Sequence, residues 1–181
     1  AENRTGYQNL MKLVSIGEVE GFYYKPRIDK DVLRRYSEGL ICLSACIAGE
    51  VPRHILRGEL ETAEKTMLEY LDIFGRDHYY LEIQNHGLPE EATVRQELRR
   101  LAQKHGIKLV ATNDLHYIRK EDASGQDILL CIQTNARYLD PQRMRFNNDS
   151  YYLKSREEME ELFPEDQKAL DNTLEIAERC N

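Results

Sequence analysis

The sequence predicts an α/β protein in which parallel strands alternate with crossover helices. Three short β-rich runs carry that prediction: "LICLSA" at 40–45, "YYLEIQ" at 79–84 and "KLVATN" at 108–113. The stretches between them repeat apolar residues at helical spacing, and they are long enough to return the chain to the same edge of a sheet. The third observation is composition. With 41% hydrophobic and 31% charged residues over 181 positions, the chain has the makeup of one globular domain with a real core.

Each element follows from local signals. In 7–20, Leu10, Leu13, Val14 and Ile16 mark one helical face, and Gly21 ends it. "FYYKPRI" is extended, because Pro26 restricts Lys25. Residues 29–38 form a short helix with Asp29 as N-cap, closed by Gly39. After the first strand, two helices at 50–57 and 59–74 hinge at Gly58. Pro89 and two acids open a helix over 89–106, and Lys104, His105 and Gly106 close it, as the helix dipole and C-cap rules favour. Residues 121–133 are helical, 135–150 are a long polar loop, and 151–154 form a brief strand. Ser155 and Glu158 make a capping box, and a last helix runs from about 166 to 180.

The bulk numbers exclude several classes. A net charge of −7 gives no global pull toward nucleic acid, so any DNA contact must be local. No apolar stretch approaches the ~20 residues that span a bilayer, and Ala1-Glu2-Asn3-Arg4 opens no signal-peptide pattern. The cysteines at 42, 46, 131 and 180 form no four-cysteine zinc pattern, which points to reduced thiols in a cytoplasmic protein without a membrane partner.

Ligand sites in parallel sheets lie at the carboxyl ends of strands. Cys46 follows the first strand, His86 the second, and Asp114 and His116 the third. Asp114 and His116 are two residues apart, so an extended backbone points both the same way. Thiolate, imidazole and carboxylate suit zinc, and carboxylate with imidazole also suits manganese. The plainer roles stay open: Asp114 as an N-cap, His116 as a loop residue, Cys46 as a small apolar packer, His86 as a shaper of its turn. Cys42, inside the strand, is the core packer of the two early cysteines. Tyr23, Tyr24, Lys25 and Arg27 read as an amphipathic segment packed on the body rather than a nucleic-acid patch. Arg137, Arg143 and Arg145 in the long loop suit a phosphate or a partner's carboxylate.

Seven motifs in order carry a family resemblance: "GYQNLMKLVS", "GFYYKPRID", "LICLSACIAGEVP", "YYLEIQNHGLP", "LVATNDLHY", "DILLCIQT" and "YYLKSREEMEELF". Together they resemble the polymerase and histidinol phosphatase (PHP) domain of bacterial replicative DNA polymerase III alpha subunits, from about Asn3 to Asn181. The resemblance implies a distorted seven-stranded β/α barrel, TIM-like, with a metal cluster at its carboxyl rim. It makes Cys46, Asp114 and His116 metal ligands, Asp114 and His116 catalytic, and places His86 on a matching strand-end loop. The implied cofactors are divalent ions: zinc, manganese or magnesium.

The family opens with a His-x-His strand, an Asp-His pair, a glutamate and a further histidine, none of which precedes Asn3. Residues 1–181 are therefore expected to be a partial PHP domain, with weak or no metal binding alone. The resemblance implies metal-dependent 3′–5′ exonuclease activity and support of DNA synthesis in the longer parent. The alternatives are a non-catalytic scaffold that docks a proofreading exonuclease subunit, or a free-standing PHP phosphoesterase. "GFYYKPRID" and the "CIQT" helix argue against the last. The implied partners are the rest of the alpha subunit and, through it, DNA.

Overall fold

Three short strands, β1 (Cys42–Leu43), β2 (Tyr79–Ile83) and β3 (Lys108–Ala111), form one parallel sheet in that order. They come from a computed structural model that describes residues 1–180. Cys42 pairs with Tyr79, and Tyr80 pairs with Lys108, so all three carboxyl ends share one rim. That shared rim positions everything below.

The helices form where their signals lie. α1 (Arg4–Val19) starts at Asn3, whose side chain accepts from the Gly6 amide. α2 (Lys30–Arg35) starts at Asp29, which accepts from Val32 N at 2.8 Å. α3 (Glu50–Leu56) and α4 (Leu60–Phe74) are separated at Gly58, where φ is +74° and a side chain would be strained. α5 (Pro89–His105) opens on proline and closes on Gly106 at φ +62°. A 3-10 turn at Lys120–Asp122 leads into α6 (Ala123–Thr134). α7 (Arg156–Leu162) carries the Ser155–Glu158 capping box, and α8 (Gln167–Arg179) ends the described chain.

Tyr79, Leu81 and Ile83 alternate onto one face of the sheet, where they pack with Val51 and Ile55 of α3, Met67 of α4 and Leu98 of α5. Burial of each such side chain contributes roughly 1.5–3 kcal/mol. α8 covers the free edge of β3: Asn172 Nδ2 donates to Leu109 O at 2.7 Å, and Ala169 and Leu170 enter the core. A helix laid over a strand edge in this way shields it from pairing with another chain. No helix among the described residues is long and apolar enough to cross a membrane.

The three parallel strands among the described residues form an open sheet, consistent with a portion of the expected β/α barrel. Three expectations change. The 40–45 strand shrinks to two residues, because Ala45 turns to φ +66° and ends the pairing. The 151–154 strand becomes a single parallel bridge, Tyr117 to Tyr152, fixed by His116 N to Tyr151 O and Leu153 N to Ile118 O. Tyr23 and Tyr24 do not pack on the body; they are 66% and 83% exposed. The backbone explains this. A Cβ on Gly21 would lie 1.9 Å from Arg27 O, so main chain fills the space against α1. Tyr24, at φ +59°, lies in the turn that results.

Candidate functional site

His86 leaves the end of β2 and is almost fully buried, at 3% exposure. Glu91, in the first turn of α5, reaches back to it. Its carboxylate accepts from the His86 backbone amide at 2.6 Å and faces His86 Nδ1 at 2.6 Å. Burial pushes the Glu91 carboxyl up, but hydrogen bonds from the His86 ring and backbone outweigh that and hold it below the usual carboxylate range. On the other side of the ring, Nε2 lies 3.1 Å from both Asn113 Oδ1 and the Asp114 amide nitrogen. A neutral ring accepts from the Asp114 amide; a protonated ring donates to Asn113. Both nitrogens are committed within the protein in either state. The ring also stacks on Tyr151, centroids 4.6 Å apart and planes 5° from parallel. His86 is therefore a hub that fixes the start of the β3 exit loop, and a metal would have to displace one of these partners to reach it.

That loop presents Asp114 and His116. Their side chains are 46% and 36% exposed, with Asp114 Oδ1 3.6 Å from His116 Nδ1. His116 Nδ1 also lies 3.1 Å from Asp114 O. The His116 amide donates to Tyr151 O, and its ring sits 4.7 Å from Phe146. Asn113 holds the approach to the pair, donating to Tyr152 O at 2.7 Å and accepting from Lys154 at 3.0 Å. An acid and an imidazole thus stand side by side on the rim, braced from below and open above.

Cys46 lies beyond β1 in a crowded turn. A Cβ on Gly49 would meet Ser44 O at 2.5 Å and Cys46 O at 3.1 Å, so glycine is required there. Ser44 Oγ accepts from Glu82 N at 2.8 Å and ties the turn to β2. Cys46 is half-buried beside a cavity of about 10 Å³ shared with Glu82, Gln84 and Glu91. Among the described residues, no three His, Cys, Asp or Glu side chains gather closely enough to hold a metal ion. The donor types suit zinc or manganese, but these residues by themselves do not fit a closed metal centre.

Cys42 packs against the core, and burial, followed by the Glu82 charge, pushes its thiol up to about 12. Cys42→Ala is expected to lower stability by about 1–2 kcal/mol as a small-cavity change. Urea denaturation checks this, and an unchanged midpoint would remove Cys42 from the packed core. The other histidines have local partners. His54 meets Glu59, His78 meets Glu2 and His105 meets Glu64.

Glu91, Asn113, Phe146, Tyr151 and Lys154 were not singled out from the sequence. Glu91 had a visible signal, an acid three residues into a helix opened by proline, but such acids are ordinarily exposed. The loop arginines separate. Arg143 is half-buried in a paired contact with Asp127, both distances 2.5 Å, while Arg145 is exposed.

Residues 1–86 match the family model described as "PHP domain". Over its full length the chain is 50% identical to the DNA polymerase III subunit alpha of Treponema pallidum and 49% identical to that of Thermus aquaticus. It is 42% identical to that of Saccharopolyspora erythraea over 99% of its length. The chain spans 15–16% of the length of these three relatives.

Proposed function

We propose that this chain, similar along its length to a PHP-bearing segment of bacterial DNA polymerase III alpha subunits, works as part of such a subunit in the bacterial cytoplasm. There it supplies Cys46, Asp114 and His116 to a divalent-metal site, with zinc, manganese or magnesium, whose other ligands come from elsewhere in the subunit. The activity assigned is 3′–5′ hydrolysis of single-stranded or mispaired DNA ends beside DNA-directed DNA synthesis. The observation that carries this is the exposed Asp114–His116 pair, 3.6 Å apart on the strand rim and braced by a buried hub that leaves its outer face open. A carboxylate and an imidazole held this way are ready to serve as ligands and as proton-handling groups.

The test is Asp114→Asn in the full-length subunit, free of any separate exonuclease subunit. Release of 3′ nucleotides should fall at least 100-fold while primer extension stays within about twofold, the loss expected when one essential catalytic group goes. Unchanged nucleotide release would overturn the assignment.

A structural role is supported by a different observation: the ligand-type residues do not converge among the described residues. In that case the segment supports polymerisation and docks an exonuclease subunit. Wild-type subunit devoid of metal-dependent nuclease, with Asp114→Asn leaving everything unchanged, would favour it.

A further inference from the structure

Beside His116 lies a cavity of about 290 Å³ whose lining includes Tyr117, Asp127, Arg145, Phe146, Asn148 and Asp149. It is joined physically to the rim site. Phe146 lines the cavity and touches the His116 ring, centroids 4.7 Å apart. Asn148 lines it and donates to His86 O at 2.7 Å. Tyr117, next to His116 in sequence, is 9% exposed and forms part of the wall.

The charges in the cavity are not equivalent. Asp127 is neutralised by Arg143 at 2.5 Å, and that partnership holds its carboxyl below the usual range. Asp149 has Lys120 at 3.7 Å. Arg145 makes no hydrogen bond or ion pair among the described residues, and its charge acts on Asp127 only at longer range. A cation without a hydrogen-bonded partner, in a cavity walled by aromatic rings, is the chemistry that takes a phosphodiester with its sugar or base against a ring.

We propose that this cavity is a subsite for single-stranded DNA, in which Arg145 binds the backbone phosphate next to the nucleotide held at Asp114–His116 and Phe146 contacts the adjoining sugar or base. The subsite rests on the nuclease assignment for its role, but strand binding is measurable without it. Arg145 is here a positioning residue that sets the path of the strand. Asp127, held by Arg143, belongs to the cavity wall.

The experiment is fluorescence anisotropy of a 5′-labelled oligothymidylate of about ten nucleotides, with this chain, in EDTA at low salt. Arg145→Glu should raise Kd at least tenfold. Arg145→Ala should lower the slope of log K against log salt by about 0.7, the share of one phosphate contact on a single strand. Arg145→Lys should recover most of the affinity. Lys168→Glu, the same charge change at an exposed site on α8, should leave Kd within about twofold and so control for bulk charge. Equal losses for Arg145→Glu and Lys168→Glu, or no loss for either, would overturn the subsite. Because no metal is present, failure of the nuclease assignment is read separately, in the Asp114→Asn assay. Weakened binding with no nuclease in the wild-type subunit would keep the subsite as a strand-binding surface.

Discussion

Replacing His86 with alanine is expected to cost about 3–5 kcal/mol of stability, the loss typical when a buried carboxylate is left without its side-chain partner. Glu91 is 4% exposed, so without His86 its carboxylate stays buried with only backbone amides of residues 86 and 88 to oppose it. The Nε2 contact with Asn113 and the Asp114 amide is lost, and Tyr151 loses the ring stacked on it. Glu91→Gln keeps the volume and removes the charge, so its loss should be smaller, about 1–3 kcal/mol. The pair also fixes a pH dependence. The folded-state pKa of Glu91 is depressed, so its contribution is present above the unfolded glutamate pKa of about 4.3 and is lost as pH falls through the lower folded value. Wild-type stability should therefore drop more steeply than that of Glu91→Gln below about pH 4. Urea titrations from pH 3 to 7 would show it, and parallel curves, or a His86→Ala loss under 1 kcal/mol, would demote the pair to a surface-like contact.

The same pair shows where sequence reasoning reaches its limit. α2, α7 and α5 could be read from the chain because their stop and start signals are local: Asp29, the Ser155–Glu158 box, Pro89 and Gly106 act within one turn of their own residue. The strand-end placement of Cys46, His86, Asp114 and His116 could also be read, since it needs only strand order and direction. What could not be read is how those residues are spent. His86 is committed to Glu91 on one side and to residues 27 and 28 positions away on the other, and Asn148 reaches its carbonyl from 62 positions away. No periodicity encodes such partners. β1 fails for a related reason. Its apolar composition suits six residues of strand, but the left-handed turn at Ala45, next to the crowded Gly49, ends it after two.

Gly6→Ala is expected to destabilise the chain by roughly 2–3 kcal/mol, although alanine is the better helix former by about 1 kcal/mol. Gly6 sits in the first turn of α1, where main chain meets main chain. A Cβ there would lie 1.8 Å from Gly39 O and 2.5 Å from Gly39 C, and Gly39 is itself fixed at φ +73°. Neither partner is a flexible side chain that can swing aside, so α1 must lift from the 37–40 turn. Lifting it breaks the Glu2 amide bond to Gly39 O and the Asn9 side-chain bond to Glu38 O, at 2.9 and 3.0 Å. It also pulls on Glu2, which pairs with Arg179 of α8 at 2.7 Å and with His78 at 2.9 Å. The loss should thus be felt at both the first and last helices. Gly125→Ala, in the first turn of α6, is the comparison. Nothing lies within 4 Å of the added methyl there, so the helix-propensity gain of about 0.5–1 kcal/mol should appear unopposed. Thermal or urea melts of the two variants should move in opposite directions. If Gly6→Ala moves the same way as Gly125→Ala, α1 is not seated on the 37–40 turn by backbone contact.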